Sequence, residues 1–118
     1  MRLLIALVPA LFVLGFACSF RTQPPAGADG ATIYELQNCA NCHGKDREGK
    51  SLGPALEGLA ANWDEEGLAR FFADPKPFLA EDARLEGLRK AYPAAMSKYD
   101  NLDLEQRTTL ARWLLAGR

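Results

Sequence analysis

The five residues from Cys39 to His43, with the sequence Cys-Ala-Asn-Cys-His, constrain the fold of this 118-residue chain more than any other feature. Two cysteines separated by two residues lie about one helical turn apart, so both sulfurs can face the same side. His43 follows directly and can project its imidazole from that side as well. Such a turn can present two thiols and an imidazole to one bound group, and the glycine-rich loop that follows (Gly44, Gly49, Gly53, Pro54) is suited to wrapping something rigid.

The Cys-x-x-Cys spacing also occurs in redox pairs, zinc sites and disulfides. A thioredoxin-like redox pair needs a βαβ context, and no segment here shows the period-two alternation of a strand. A structural zinc site needs four ligands, whereas the chain has one histidine and no second cysteine pair. A plain disulfide, with His43 as a bystander, remains an alternative.

A haem group fits the spacing best. Cys39 and Cys42 can form thioethers with the two vinyl groups on one edge of a porphyrin, and His43 can then reach the iron. Covalent attachment keeps the cofactor in place while the iron changes oxidation state. The sequence therefore predicts one covalently bound haem c, with His43 as a ligand of its iron.

Counting possible ligands leaves few residues for the other face of the iron. His43 is the only histidine, so bis-histidine ligation is excluded, and Met96 is the only methionine besides Met1. A thioether is a soft ligand that raises the potential when it lies opposite histidine. Met96 is therefore predicted as the second iron ligand; Lys90, Lys98 or an open position are the alternatives.

The first 17 residues have the pattern of a signal peptide. A single positive charge, Arg2, precedes an apolar run from Leu3 to Leu14, which is too short to span a bilayer comfortably. A retained N-terminal anchor is the alternative. We predict a signal peptide over residues 1–17.

The residues before Cys18 resemble a bacterial lipoprotein signal, which predicts lipidation of Cys18 and a membrane anchor there. Gly15 occupies the position where that family usually has leucine, and Gly15 with Ala17 also suits ordinary signal-peptidase cleavage, which would leave Cys18 unlipidated. The chain has three cysteines. This odd number is explained if Cys18 carries a lipid and the other two hold haem.

The rest of the chain divides into a tether and one domain. Residues 18–29 are polar and rich in proline and glycine, which predicts a flexible tether. Residues 30–118 are predicted to form an all-α domain of about four to five helices with long loops wrapped round one haem. The predicted helices are 30–41, 63–73, 82–90 and a last helix from Asp103 to Gly117.

Particular residues define these boundaries. Asp29 is predicted to cap the first helix, Asn62 and Glu65 to form a capping box, and Asp103 and Gln106 to begin the last helix. Two prolines are expected to enforce an extended stretch, and a set of apolar residues to close the pocket. The prolines are Pro75 and Pro77, and the apolar residues are Leu59, Phe71, Phe72, Phe78, Leu79 and Leu85.

From Gly30 to Gly117 the chain resembles the small single-haem cytochrome c family of the His/Met type. The resemblance implies that Gly30 and Tyr34 of the first helix pack against Trp113 of the last. It also implies that Pro54 offers its carbonyl to the iron-ligating histidine and that Leu56 lines the haem pocket.

Two departures from that family affect the geometry. Tyr34 stands five residues before Cys39, where the family more often has four, which predicts a bulge or register adjustment late in the first helix. Met96 is followed by Ser97, where many relatives have proline, which predicts a less stiff methionine loop.

The resemblance implies a single-electron carrier in an extracytoplasmic respiratory or photosynthetic chain, on the periplasmic side of a bacterial membrane. Redox proteins or a membrane respiratory complex would be its partners, and no small-molecule substrate is expected. The net charge of −1 gives no basic surface for nucleic acid. The alternatives are an electron-transfer subunit of a larger membrane oxidoreductase, or a haem peroxidase or sensor.

Overall fold

The computed structural model describes residues 21–117, which form six α-helices and one 3₁₀ turn. In chain order these elements are α1 (Gly30–Leu36), α2 (Ala40–His43), the 3₁₀ turn (Leu59–Ala61), α3 (Glu65–Ala73), α4 (Lys76–Glu81), α5 (Ala83–Ala91) and α6 (Leu104–Leu115). The described part of the chain contains no strand, only an isolated bridge between Lys50 and Gly53. The predicted all-α class is confirmed, with more and shorter helices than expected.

Aspartate side chains begin four of the helices. Asp29 and Asp64 each accept a backbone N–H three residues ahead, at 2.8 and 2.7 Å. Asp103 forms a capping box with Gln106, as predicted. The capping box expected at Asn62 is wrong, because the Asp64 carboxylate caps α3 and the 3₁₀ turn already ends at Asn62. Asp82 caps α5 by accepting the backbone N–H groups of Arg84 and Leu85, at 2.8 and 3.4 Å.

The single first helix predicted over residues 30–41 is interrupted before the cysteines. α1 ends at Leu36, and Asn38 adopts a left-handed conformation with φ of 58°. The backbone N–H of Cys39 donates to the carbonyl of Tyr34, five residues earlier, at 3.2 Å. This wider turn is the predicted register adjustment, which is therefore confirmed.

The extended stretch expected at the two prolines is wrong. Pro75 caps α4 and Pro77 lies in its first turn, where a helix needs no N–H from these residues. Asp74 is extended, with ψ of 106°, as the following proline requires. The prolines therefore separate α3 from α4 without preventing α4 from forming.

The core lies where α6 contacts both α1 and α3. Gly30 lets α1 approach α6 closely, because a β-carbon on this residue would lie 2.1 Å from Cβ of Trp113. The rings of Tyr34 and Trp113 are 5.4 Å apart, so the contact implied by the family resemblance is present. The buried apolar side chains of these helices are Ile33, Tyr34, Leu68, Ala69, Phe71, Phe72, Leu110, Ala111 and Leu114.

Four residues of the segment expected to be a flexible tether, Arg21 to Pro24, contact the domain. Pro24 is buried, and its carbonyl accepts a hydrogen bond from Gln106 at 3.2 Å. The carbonyl of Thr22 accepts one from Gln37 at 2.8 Å. These side-chain donors fix the segment Arg21 to Pro24, which we call the strap.

The remaining N-terminal predictions concern residues outside the described range. The signal peptide over residues 1–17 and the lipidated Cys18 are among them. Among residues 21–117, no helix is long and apolar enough to cross a membrane.

Candidate functional site

The cysteine and histidine side chains of the motif lie on and beside α2. Cys39 caps this helix, while Cys42 and His43 form its last residues. Both cysteines are half-buried free thiols, so the structure does not join them in the alternative disulfide. Burial raises the pKa of the Cys39 thiol to about 11, so this sulfur is neutral at ordinary pH.

A backbone carbonyl fixes the orientation of the His43 ring. Nδ1 of His43 lies 2.8 Å from the carbonyl oxygen of Pro54. Because a carbonyl can only accept, Nδ1 carries the proton in this contact and Nε2 keeps a lone pair for a metal. The structure thus brings Pro54 to the position that the resemblance implied.

The loop after α2 folds back to bring Pro54 to His43. The N–H of Gly49 donates to the carbonyl of His43 at 2.7 Å, and the N–H of Leu56 donates to the carbonyl of Arg47 at 3.0 Å. Gly49 has φ of +85°, and a β-carbon there would lie 2.6 Å from the backbone nitrogen of Ala55. Glycine is therefore required at this position.

The motif residues and Pro54 line one cavity of about 360 Å³. Met96, from the loop after α5, and Leu56 line it as well. The predicted site residues on its wall are Cys39, Cys42, His43, Pro54, Leu56 and Met96.

Apolar side chains make up much of the remaining wall. Five of the six residues predicted to close the pocket line it, namely Leu59, Phe71, Phe72, Leu79 and Leu85. The sixth, Phe78, does not. Its ring packs instead against Phe71 and Trp63, with centroids 5.6 and 5.7 Å away, so Phe78 supports the wall from behind.

Several polar residues of the wall were not predicted from the sequence. Arg84 and Arg89 of α5 reach the cavity, as do Tyr34 and Tyr99. Burial raises the pKa of each tyrosine to about 12. The sequence does contain a signal for the two arginines. Leu85 and Leu88 mark the inner face of α5, and Arg84 and Arg89 are the residues directly before and after this pair.

The cytochrome c family model matches residues 27–117. The chain belongs to the cytochrome c family. No curated protein and no solved structure is similar enough to be matched to it. The family carries a covalently bound haem c with iron and transfers electrons.

The site of this cytochrome c fits that cofactor. Two thiols lie on one turn, beside an imidazole whose Nε2 is free to bind a metal. They face a cavity with a largely apolar wall that also contains a thioether. The fit therefore rests on the thiol, imidazole and thioether groups and on the apolar cavity that they line, independently of the family match.

The family match begins at residue 27 and leaves out the strap. Arg21 to Pro24 nevertheless pack on the domain through hydrogen bonds to Gln37 and Gln106. The strap is therefore a feature of this chain that the family model does not describe.

Proposed function

We propose that this cytochrome c is a single-electron carrier that works outside the cytoplasmic membrane. In this proposal Cys39 and Cys42 form the thioethers, and His43 and Met96 ligate the iron. The observation that carries it is the hydrogen bond between His43 Nδ1 and Pro54 at 2.8 Å, on the wall of the cavity that Met96 also lines.

Each residue has a distinct task in electron transfer. When bound, haem c supplies an iron that alternates between the ferric and ferrous states. Pro54 holds the imidazole of His43 in one orientation and one tautomer, so the ligand does not reorganise when the charge on the iron changes. Met96 supplies a soft sulfur, which favours the ferrous state and raises the potential.

The apolar wall contributes by excluding water from the redox centre. Leu68, Phe72 and Leu110 are buried and line the cavity. A water-poor surrounding disfavours the more highly charged ferric state and reduces the solvent rearrangement that accompanies each electron. These properties suit a carrier that exchanges one electron at a time and transforms no substrate.

We place this carrier on the periplasmic side of a bacterial membrane, held there by a lipid on Cys18. The supporting observations are the signal-peptide pattern and the cysteine that follows it. Its partners would be redox proteins or a membrane respiratory complex in a respiratory or photosynthetic chain.

The test uses the haem-loaded protein purified from native membranes. Haem peroxidase staining should survive denaturing electrophoresis, and a potentiometric titration should give one reversible one-electron step. A C39A/C42A variant is the control and should lose the stain. Two outcomes would contradict the proposal: extraction of all colour by acid acetone, or turnover of a small substrate at the iron. Proteins that copurify with the haem band would distinguish a fixed complex subunit from a free carrier.

A further inference from the structure

The loop that carries Met96 has little support of its own. It runs from Tyr92, at the end of α5, to Tyr99, and residues 93–98 are all exposed. Within the described range, the backbone of residues 93–97 makes no hydrogen bond to another backbone group. The two ends of the loop are therefore what limits where the Met96 sulfur can go.

The far end of this loop is fixed at Lys98 and Tyr99. The N–H of Tyr99 donates to the carbonyl of Phe72 in α3 at 2.7 Å. Arg21 of the strap holds the same point from the other direction. Its guanidinium carbon lies 4.3 Å from the centroid of the Tyr99 ring, and its Nη1 donates to the carbonyl of Lys98.

Arg21 is itself held in place by the other residues of the strap. Thr22 and Pro24 accept hydrogen bonds from Gln37 and Gln106, at 2.8 and 3.2 Å. Gln37 is also bound to Asn101, which lies two residues beyond Tyr99, at 2.9 Å. The strap, the end of the methionine loop and the core glutamines thus form one connected network.

We infer that Arg21 is a positioning residue for Met96: it fixes the end of the methionine loop and so keeps the thioether at the cavity. The inference rests on the proposed ligation of iron by Met96. Arg21 acts through Lys98 and Tyr99, the second of which lines the cavity beside Met96. Without Arg21, only the hydrogen bond from Tyr99 to the carbonyl of Phe72 would hold this end. When that single bond opens, the mobile segment becomes longer, and the entropy lost on closing a loop grows with its length.

The test measures how easily an external ligand displaces Met96. Imidazole is titrated into the oxidised, haem-loaded protein while the near-infrared sulfur-to-iron charge-transfer band is followed. For R21A we expect imidazole to bind about fivefold to tenfold more tightly than to the wild type, because one cation–π contact and one hydrogen bond are lost. R21K should recover part of the difference, since lysine keeps the charge and can donate to the carbonyl of Lys98 but cannot stack as a planar group.

Gln23 provides the matched control on the same strap. Its side chain donates to Oε1 of Gln106, a residue of α6, at 3.2 Å. Q23A should weaken the strap against α6 yet leave imidazole affinity within about twofold of the wild type, because the two fixed points of the loop are kept. If the strap had a purely structural role, R21A and Q23A would instead raise the imidazole affinity by similar factors.

A second substitution tests the contact itself. Y99L removes the ring beneath Arg21 while leaving the backbone of Tyr99 in place. If the two residues act through each other, the effect of R21A on imidazole affinity should shrink at least about twofold in the Y99L background.

The outcomes separate the inference from the proposed function. Equal imidazole affinities in wild type and R21A, with the sulfur band present in both, would overturn the role of Arg21 alone. Absence of the sulfur band from the wild type would overturn ligation by Met96 and the inference with it.

Discussion

Replacing Gly30 by alanine is expected to destabilise the protein, because α1 lies against α6 at this residue with no room for a β-carbon. A β-carbon there would lie 2.1 Å from Cβ and 2.5 Å from Cγ of Trp113, and 3.2 Å from the carbonyl oxygen of Thr109. Carbon atoms in favourable contact are about 3.5–4.0 Å apart. The two helices must therefore separate by more than about an ångström, or the indole must leave its place.

The size of the effect follows from what surrounds the Trp113 ring. Overpacking of a well-packed contact costs about 1–3 kcal/mol. Displacement of the indole would also weaken its contact with Tyr34, at 5.4 Å, and with the Arg47 guanidinium, 4.2 Å from the ring centroid. Such contacts contribute about 0.5–1.5 kcal/mol each. We expect G30A to lower the free energy of unfolding by about 2–4 kcal/mol.

Gly87 offers the matched control, because it is also a helical glycine. It lies inside α5, and a β-carbon on it would meet no atom within 4 Å. Alanine is favoured over glycine in a helix interior, so G87A should stabilise the protein by about 0.4–1 kcal/mol. The same substitution thus has opposite signs at two positions.

Urea denaturation of the haem-loaded variants, followed by far-ultraviolet circular dichroism, measures both effects. The midpoint should fall for G30A and rise for G87A, with little change in the slope. A G30A midpoint equal to or above that of the wild type would refute the close approach of α1 to α6. A lower midpoint in both variants would show that the space around each glycine does not decide whether alanine stabilises or destabilises the protein.

Three further predictions concern the site and the anchor. M96A should lose the near-infrared sulfur band and have a lower reduction potential, because a harder ligand favours the ferric state; absorption spectra and potentiometry measure this. C18S should release the cytochrome from membranes stripped of its partners with its spectrum unchanged, which fractionation measures. Burial raises the pKa of Tyr34 and of Tyr99 to about 12. Phenols of the unfolded chain titrate at about 10, so the free energy of unfolding should fall as pH rises from about 10 to about 12. Urea midpoints at about pH 9 and about pH 11 measure this fall.

Each of these predictions has an outcome that contradicts it. An M96A protein with an unchanged potential and sulfur band would mean that Met96 only fills space. Retention of C18S on stripped membranes would exclude lipid as the anchor. A urea midpoint independent of pH up to about 12 would mean that the two phenols titrate alike in the folded and unfolded chains.

The predictions for the candidate site use signals that are local or depend on counting. Cys39, Cys42 and His43 are specified by spacing alone, and Met96 follows from the scarcity of other ligands. The register adjustment before Cys39 was also visible, as one residue more than the family usually has. No long-range packing had to be known for any of these predictions.

The strap shows why other parts could not be predicted. It belongs to residues 18–29, whose proline and glycine content is typical of a tether, and composition describes only the intrinsic preference of a segment. Its order comes from Gln37 and Gln106, whose amides donate to strap carbonyls from 15 and 82 residues away. A single sequence gives no sign that these two glutamines are buried with their donors facing the strap.

The arrangement of α4 and α5 was hard to predict for a different reason. Among the other helices, α5 packs chiefly on α4, while its inner residues Leu85 and Leu88 line the cavity. Leu110 and Leu114 of α6 line the same cavity. The surface that orders α5 is thus shared with the cofactor site, and in a domain this small a haem replaces part of the hydrophobic core. Apolar periodicity identifies the inner face of α5, but it cannot show that this face lines a cavity rather than packing on another helix.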